Sequence, residues 1–392
     1  MEPQRSRSTL FHVTVAILMV VTGTLNTLTM KWTDQESAKG QKGVHVPAKC
    51  DSTFGGVPCH EYPPDRAYDH PFDHPFVQAL FMFIGEMCCF LAFKIFVAIK
   101  SAKGERVNRG GKFSPFIFLP PALCDMCASS IMILGLTMTN ASSFQMLRGA
   151  VIVFTGLLSV TFLRNRLKLH HWIGILILIG GLVVIGVSDV VTHKETGHLS
   201  ATQQLSGDLL IVMAQIVTAI QVTYEERFLK KYDVPPLVAV GWEGIFGFSM
   251  LGLLMFPFYF IPASFGASRP IRLENAIDAF IQFSNNWQII FSMLGLIVSI
   301  AFFNFSGLTV AKELNATTRM VLDSVRTMFV WFVSLGVGWE LFNYLQPVGY
   351  VLLVVGTFVY YNMVFVPLWK KFRGGGSEKE PLLSADNNAV QS

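Results

Sequence analysis

The sequence predicts an all-α membrane protein, with about ten transmembrane helices arranged as two inverted five-helix repeats. Three observations lead there. The 392 residues are 52% hydrophobic and only 14% charged, where a soluble domain carries about 25% charged residues. A constant offset relates two stretches of the chain. Asn140-Ala141-Ser142-Ser143 returns as Asn315-Ala316-Thr317-Thr318, and the same offset carries Phe154 onto Phe329, Ser159 onto Ser334, Gly174 onto Gly349 and Gly181 onto Gly356. Lys and Arg, finally, gather in alternate loops.

Apolar runs long enough to cross about 30 Å of hydrocarbon fall at approximately 9–30, 75–98, 115–138, 143–163, 171–191, 207–229, 236–261, 288–311, 316–338 and 347–369. Their length and uniform apolarity fit helices and not the alternating strands of a barrel. The first run reads as an uncleaved helix, because Asn26 and Lys31-Trp32 stand where a signal peptide would carry small residues. Pro120-Pro121, near the start of the third run, should bend or break it. Asn140 and Asn315 open the fourth and ninth runs as helix starts, after connections so short that each forces a tight antiparallel pair. The fifth and tenth runs carry Gly174 with Gly181 and Gly349 with Gly356, small residues that let helices approach closely. Five runs per half is an odd number, so the second half enters the membrane from the opposite side and the repeat is inverted. The expected organisation is a cytoplasmic N-terminus over 1–8, a first repeat over 9–191 with a luminal loop at 31–74, a second repeat over 207–369, and a disordered cytoplasmic tail over 370–392.

Charge sets the orientation. Segments on the N-terminal side hold Arg5, Arg7, Lys100, Lys103, Arg106, Arg164, Arg166, Lys230, Lys231, Lys370 and Lys371 among others, more than twice the Lys and Arg found opposite. That excess marks the cytoplasmic side and puts both termini there. Cys50 and Cys59 then face an oxidising compartment, as a disulfide loop or as two free thiols. His60, His70 and His74 lack regular ligand spacing, and no metal is expected. Cys88, Cys89, Cys124 and Cys127 fall inside apolar runs, where packing suffices.

Ionisable residues at membrane depth are costly and mark pathways. The ninth run holds Arg319, Asp323 and Arg326, whose spacings of four and three put them on one helix face. With one excess positive charge, that face would attract an anionic or zwitterionic solute, or else neutralise itself between helices. The fourth run carries Gln145 and Arg148, and the offset maps Arg148 onto Asp323. Asn304, in the eighth run, is an uncharged candidate for the same lining. Glu86, Asp125 and Glu243 are proton-coupling candidates, since burial raises a carboxyl pKa; pairing with a membrane arginine is the other reading. No phosphate-binding loop, zinc motif or nucleophile triad is present, so neither an enzyme nor a cofactor is expected. In the tail, Glu378-Lys379-Glu380-Pro381-Leu382-Leu383 fits an acidic dileucine sorting signal for a clathrin adaptor, carried by Glu378, Leu382 and Leu383.

The arrangement resembles the drug/metabolite transporter superfamily. Val21-Thr22-Gly23-Thr24-Leu25-Asn26-Thr27-Leu28 with Lys31-Trp32, then His74-Pro75-Phe76, Gly85-Glu86 and Gly241-Trp242-Glu243-Gly244 look similar to the F-type members of solute carrier family 35. The resemblance covers roughly residues 10–370. It implies a multi-pass transporter-like protein of lysosomal membranes, with a mitochondrial or Golgi membrane as the alternative. Nucleotide-sugar carriers of the wider family typically show a Gly-Ala-Leu-Asn-Lys type motif where this chain reads Asn315-Ala316-Thr317-Thr318-Arg319, so only the basic end is comparable. Chloroquine-resistance-type transporters share the superfamily fold and are the runner-up model. The expected function is secondary-active transport of a small polar solute by alternating access. The competing expectation is a non-transporting membrane scaffold or regulator that acts through a protein partner or a second copy of itself. Membrane lipid is a partner in either case, and nucleic acid in neither.

Overall fold

The computed structural model describes residues 2–41, 69–104, 113–139, 141–163, 169–196, 201–232, 234–261, 272–313, 316–339 and 342–361. Cys50, Cys59, Glu378, Leu382, Leu383, Asn140 and Asn315 lie outside the described residues.

The chain opens with α1 (Glu2–Gln35), which passes into β1 (Ser37–Lys39). Antiparallel β2 (Asp69–Pro71) pairs with it, Ala38 facing His70, and leads into α2 (Pro75–Ala102). A 3-10 turn at Pro115–Phe118 precedes α3 (Leu119–Thr137); α4 (Ala141–Leu147), α5 (Ala150–Leu163) and α6 (Leu169–Thr196) follow. The remaining helices are α7 (Ala201–Tyr232), α8 (Pro236–Phe258), α9 (Ala276–Asn285), α10 (Trp287–Glu313), α11 (Ala316–Val337) and α12 (Leu345–Tyr360). Among the described residues, eight spans are long and apolar enough to cross a membrane, and Val325–Val337 and Leu345–Tyr360 are shorter apolar helices. Large apolar side chains remain exposed in stripes, as at Leu10, Val13, Ile17, Val21 and Leu25 of α1. A lipid-facing helix surface carries such a stripe.

Two sequence expectations change. Pro120 and Pro121 do not break the third helix. They occupy its first turn, where a missing amide donor costs nothing and the fixed φ favours helix entry. The fourth run is not one continuous helix either. At the α4–α5 junction, Gly149 N bonds to Met146 O at 2.9 Å, Val151 N to Arg148 O at 3.1 Å and Ile152 N to Gly149 O at 3.2 Å. This three-residue pattern tightens the chain at Arg148-Gly149. Two elements were not foreseen at all: the β1–β2 ribbon and α9, which Asn275 caps by accepting from the Asp278 amide.

Packing pairs α1 with α10, α2 with α8, α3 with α7 and α6 with α12. Glycines set the last of these. A Cβ on Gly174 would strike the backbone of Tyr360, and one on Gly356 would strike Leu178. A Cβ added to Gly181 would lie 3.1 Å from the Gly349 carbonyl oxygen, and one added to Gly349 would lie 3.3 Å from that of Gly181. Positions that rise along α6 meet positions that fall along α12, so the two run antiparallel.

The ribbon and α9 share one end of the bundle, called here the ribbon end. There the Lys31 ammonium donates to the carbonyls of Leu136 (3.1 Å) and Thr139 (2.8 Å), opposing the negative end of the α3 dipole. Thr139 Oγ1 donates to Asp208 Oδ1 at 2.7 Å and ties the same corner to α7.

Candidate functional site

Arg326 sits at the centre of a polar layer inside the bundle. The α-helical spacing read from the sequence brings its Nη2 to 3.4 Å from Asp323 Oδ1. The guanidinium lies over the Phe303 ring of α10, 4.6 Å from its centroid, a cation–π contact. On the other side is α1. A Cβ on Gly23 would collide with Arg326 Cδ and come within 2.8 Å of Phe303, so the absent side chain there makes the room. Arg319 approaches α10 at Gly307, whose added Cβ would lie 3.6–3.7 Å from the guanidinium.

The layer continues toward α3, α4 and α7. Gln145 of α4 donates through Nε2 to Thr27 Oγ1 of α1. Arg148, at the tightened junction, stacks on Phe144 of the previous turn at 5.8 Å. It interacts electrostatically with Arg326, Asp323, Arg319 and Asp125. Asp125 of α3 accepts from Ser129 Oγ at 3.2 Å and from Gln221 of α7. The structure thus brings together Arg148, Asp125, Asp323, Arg326 and Arg319. The layer is unevenly exposed: the Asp323 side chain is 27% exposed and that of Arg326 5%.

A second constellation lies between α2, α8 and α10. Asn304 Nδ2 donates to Glu86 Oε1 at 3.0 Å. Glu243 is buried on α8, next to Gly244, where an added Cβ would meet the backbone of Met87. Asn304 is thus tied to Glu86 of α2. A groove of about 710 Å³ opens elsewhere, between α1 and α10 toward the ribbon end, with Leu25, Trp32, Phe291, Val298 and Trp339 in its walls. None of Arg148, Asp323 and Arg326 lines it.

The densest buried polar network is at the ribbon end, and the sequence reading missed it. His74 Nδ1 is 2.7 Å from Glu274 Oε1, and its Nε2 is 3.3 Å from Asp278 Oδ2. His70 Nε2 is 3.2 Å from the same Asp278 oxygen. Glu274 Oε2 accepts from the amides of Phe76 (3.0 Å) and Val77 (3.3 Å), the first turn of α2. The Gln41 amide donates to Asp278 Oδ1, and Gln282 Nε2 donates to the carbonyls of Ala38 (3.3 Å) and His70 (3.1 Å). Burial alone would lower the His74 pKa, but Glu274 and Asp278 outweigh it and lift it to about 10. Among the described residues, no three His, Cys, Asp or Glu side chains are arranged to hold a metal ion. One sequence signal could have exposed α9: Asn275 with an acid three residues later is a helix-start pattern.

Comparison with known proteins supports the family resemblance. A family model described as solute carrier family 35 (SLC35F) matches residues 72–259. The chain is 45% identical over 389 residues to solute carrier family 35 member F6 of Homo sapiens, covering 97% of this chain and 98% of that protein. The Rattus norvegicus protein of the same name is 47% identical over 354 residues, covering 90% and 89%. A solved crystal structure of 14% identity overlays with a TM-score of 0.50 on 91% of this chain and 98% of its own, a likeness of fold alone. With near-complete coverage at that identity and eight apolar spans, the chain is a multi-pass membrane protein that belongs to the F branch of solute carrier family 35.

Proposed function

We propose that the protein is a secondary-active transporter of a small polar solute, anionic or zwitterionic, working by alternating access between two inverted five-helix halves. The single observation that carries this reading is the charge layer of Arg148, Asp125, Asp323 and Arg326. It draws on helices of both proposed halves and leaves one end exposed at Asp323. A buried arginine in excess over its partner draws an anion, and an adjacent carboxylate accommodates an amine. The antiparallel meeting of Gly174 with Gly356 and Gly181 with Gly349 supports the inverted relation, because the offset maps each pair onto the other. The matched pairings of α1 with α10 and α3 with α7 support it too. Glu86, Glu243 and Asp125 remain the proton-coupling candidates within the span.

The proposed setting is an endolysosomal membrane, with both termini cytoplasmic, the ribbon end luminal, and Glu378, Leu382 and Leu383 read by a clathrin adaptor. Unchanged targeting of Leu382→Ala with Leu383→Ala would remove the sorting claim. Non-reducing peptide mapping tests the Cys50–Cys59 disulfide. The second reading, a non-transporting scaffold, draws support from Arg326, which is sealed beneath Phe303. Proteoliposome uptake from a mixed metabolite pool separates the two. Transport requires accumulation that Arg326→Ala and Asp323→Ala abolish, whereas a scaffold gives no accumulation with either chain.

A further inference from the structure

We propose that Asp73, held beside Asp34 and Gln78 at the ribbon end, is a proton-binding site, and that its proton keeps α2 joined to α9. Four buried acceptor atoms carry the argument: both carboxylate oxygens of Asp73, Oδ2 of Asp34 and Oε1 of Gln78, none of which has a hydrogen-bond partner among the described residues. Gln78 is fully buried, and its Nε2 donates to Asp34 Oδ1 at 2.5 Å, which fixes the carboxamide against that carboxylate. Asp73 and Gln78 flank the first turn of α2, one residue before the N-cap His74 and four residues into the helix. Asp73 also feels the charge of Asp34 directly.

Among the described residues, the basic side chains near Asp73 have other partners. Lys31 is bound to the carbonyls of Leu136 and Thr139. His74 spans Glu274 and Asp278, and His70 pairs with Asp278. Buried oxygens without donors repel one another, and a single proton reverses this. A protonated carboxyl gains one O–H donor, which can bond to the Asp34 carboxylate or the Gln78 carbonyl. Burial drives the Asp73 carboxyl up to about 7, with Asp34 and Glu274 adding to the rise and His74 and His70 opposing it.

Losing the proton has a structural consequence. An ionised Asp73 is a further anion beside Glu274 and competes for the His74 imidazolium. That imidazolium is the side-chain link from the start of α2 to Glu274 and Asp278, beside the Phe76 and Val77 amides that Glu274 also receives. Proton release therefore loosens the tie, and proton binding restores it. The functional sense of this site rests on the two-half transport reading, but its test requires no solute, so either can fail alone.

The experiment is hydrogen–deuterium exchange on the full-length protein in lipid nanodiscs, corrected for intrinsic rates, across about pH 5 to about pH 9. Exchange over residues 69–80 and 272–286 should rise about tenfold with a midpoint near 7, in sodium-free buffer. Asp73→Asn should abolish the step near 7 and leave only the gradual rise toward about pH 9 that follows loss of the His74 charge. Asp34→Asn, which removes a repelling anion, should move the midpoint to lower pH, and it decides the matter if Asp73→Asn does not fold. A step of unchanged midpoint in either variant overturns the proposal. So does sodium restoring protection in the alkaline range, which would make this a sodium site.

Discussion

Glu274 caps α2 from a position 200 residues beyond His74. His74 stands at the N-cap of that helix, yet its own side chain caps nothing. Instead, Glu274 Oε2 receives the amides of Phe76 and Val77, while Oε1 meets the His74 ring at 2.7 Å. The first free donors of a helix in one part of the chain are thus satisfied by a carboxylate from another. The positive end of the helix dipole and the imidazolium both favour an anion there.

Removing half of a buried pair leaves the other half uncompensated, at a cost of about 3–5 kcal/mol. Glu274→Ala should lower the detergent-solubilised protein's melting temperature, and His74→Ala should do the same. The double variant should cost less than the two single losses combined, because one deletion already strands the partner. Strict additivity in a thermal-shift double-mutant cycle would show that the pair does not act as a unit.

Gly23 is where α1 admits Arg326 and Phe303. Even a methyl group there must displace the Arg326 side chain or move the helix. Gly23→Ala should destabilise by about 1–3 kcal/mol, the range for overpacking a close contact. It should also reduce solute uptake more than Gly252→Ala, since an added Cβ on Gly252 meets nothing within 4 Å. Equal effects of the two changes in thermal unfolding and uptake would deny Gly23 this role.

The arginine stripe was legible in the sequence and the cap was not, for a physical reason. Arg319, Asp323 and Arg326 belong to one helix, so local periodicity alone fixes their common face. Glu274 and His74 meet only through tertiary folding, and single-sequence periodicity carries no term for that. Glycine spacing announced close helix packing along α6 and α12, because close approach demands small residues, but not that the two helices meet each other. The Arg148-Gly149 junction escaped notice because one glycine in an apolar run is equally at home in a straight helix. The sequence offered Asn304 as a candidate for lining a cavity and could not show its hydrogen bond to Glu86, because that partner stands on α2.

Arg326 should not be replaceable by Lys. Its planar guanidinium both stacks on Phe303 and reaches Asp323 Oδ1 at 3.4 Å. An ammonium is a compact, strongly hydrated charge that cannot do both. Arg326→Lys should cut uptake by about tenfold or more, the equivalent of roughly 1.4 kcal/mol, with the protein still folded by thermal shift. Full uptake by Arg326→Lys would reduce the requirement to positive charge alone.

Stability should fall as pH rises, and the two ribbon-end groups give the same sign. Asp73 is raised from 3.8 to about 7, so the folded protein holds a proton that the unfolded chain releases. Stability then declines between those two values, because the folded state binds more protons. His74 is raised from 6.5 to about 10, so its contribution is complete below 6.5 and is lost as pH climbs through 10. Melting temperature should therefore be highest in mild acid and drop by several degrees toward alkaline pH. Asp73→Asn should flatten the part of the profile below neutrality, and His74→Gln the part above it. A profile that rises with pH, or one that neither variant alters, would mean that these groups do not govern the ribbon end.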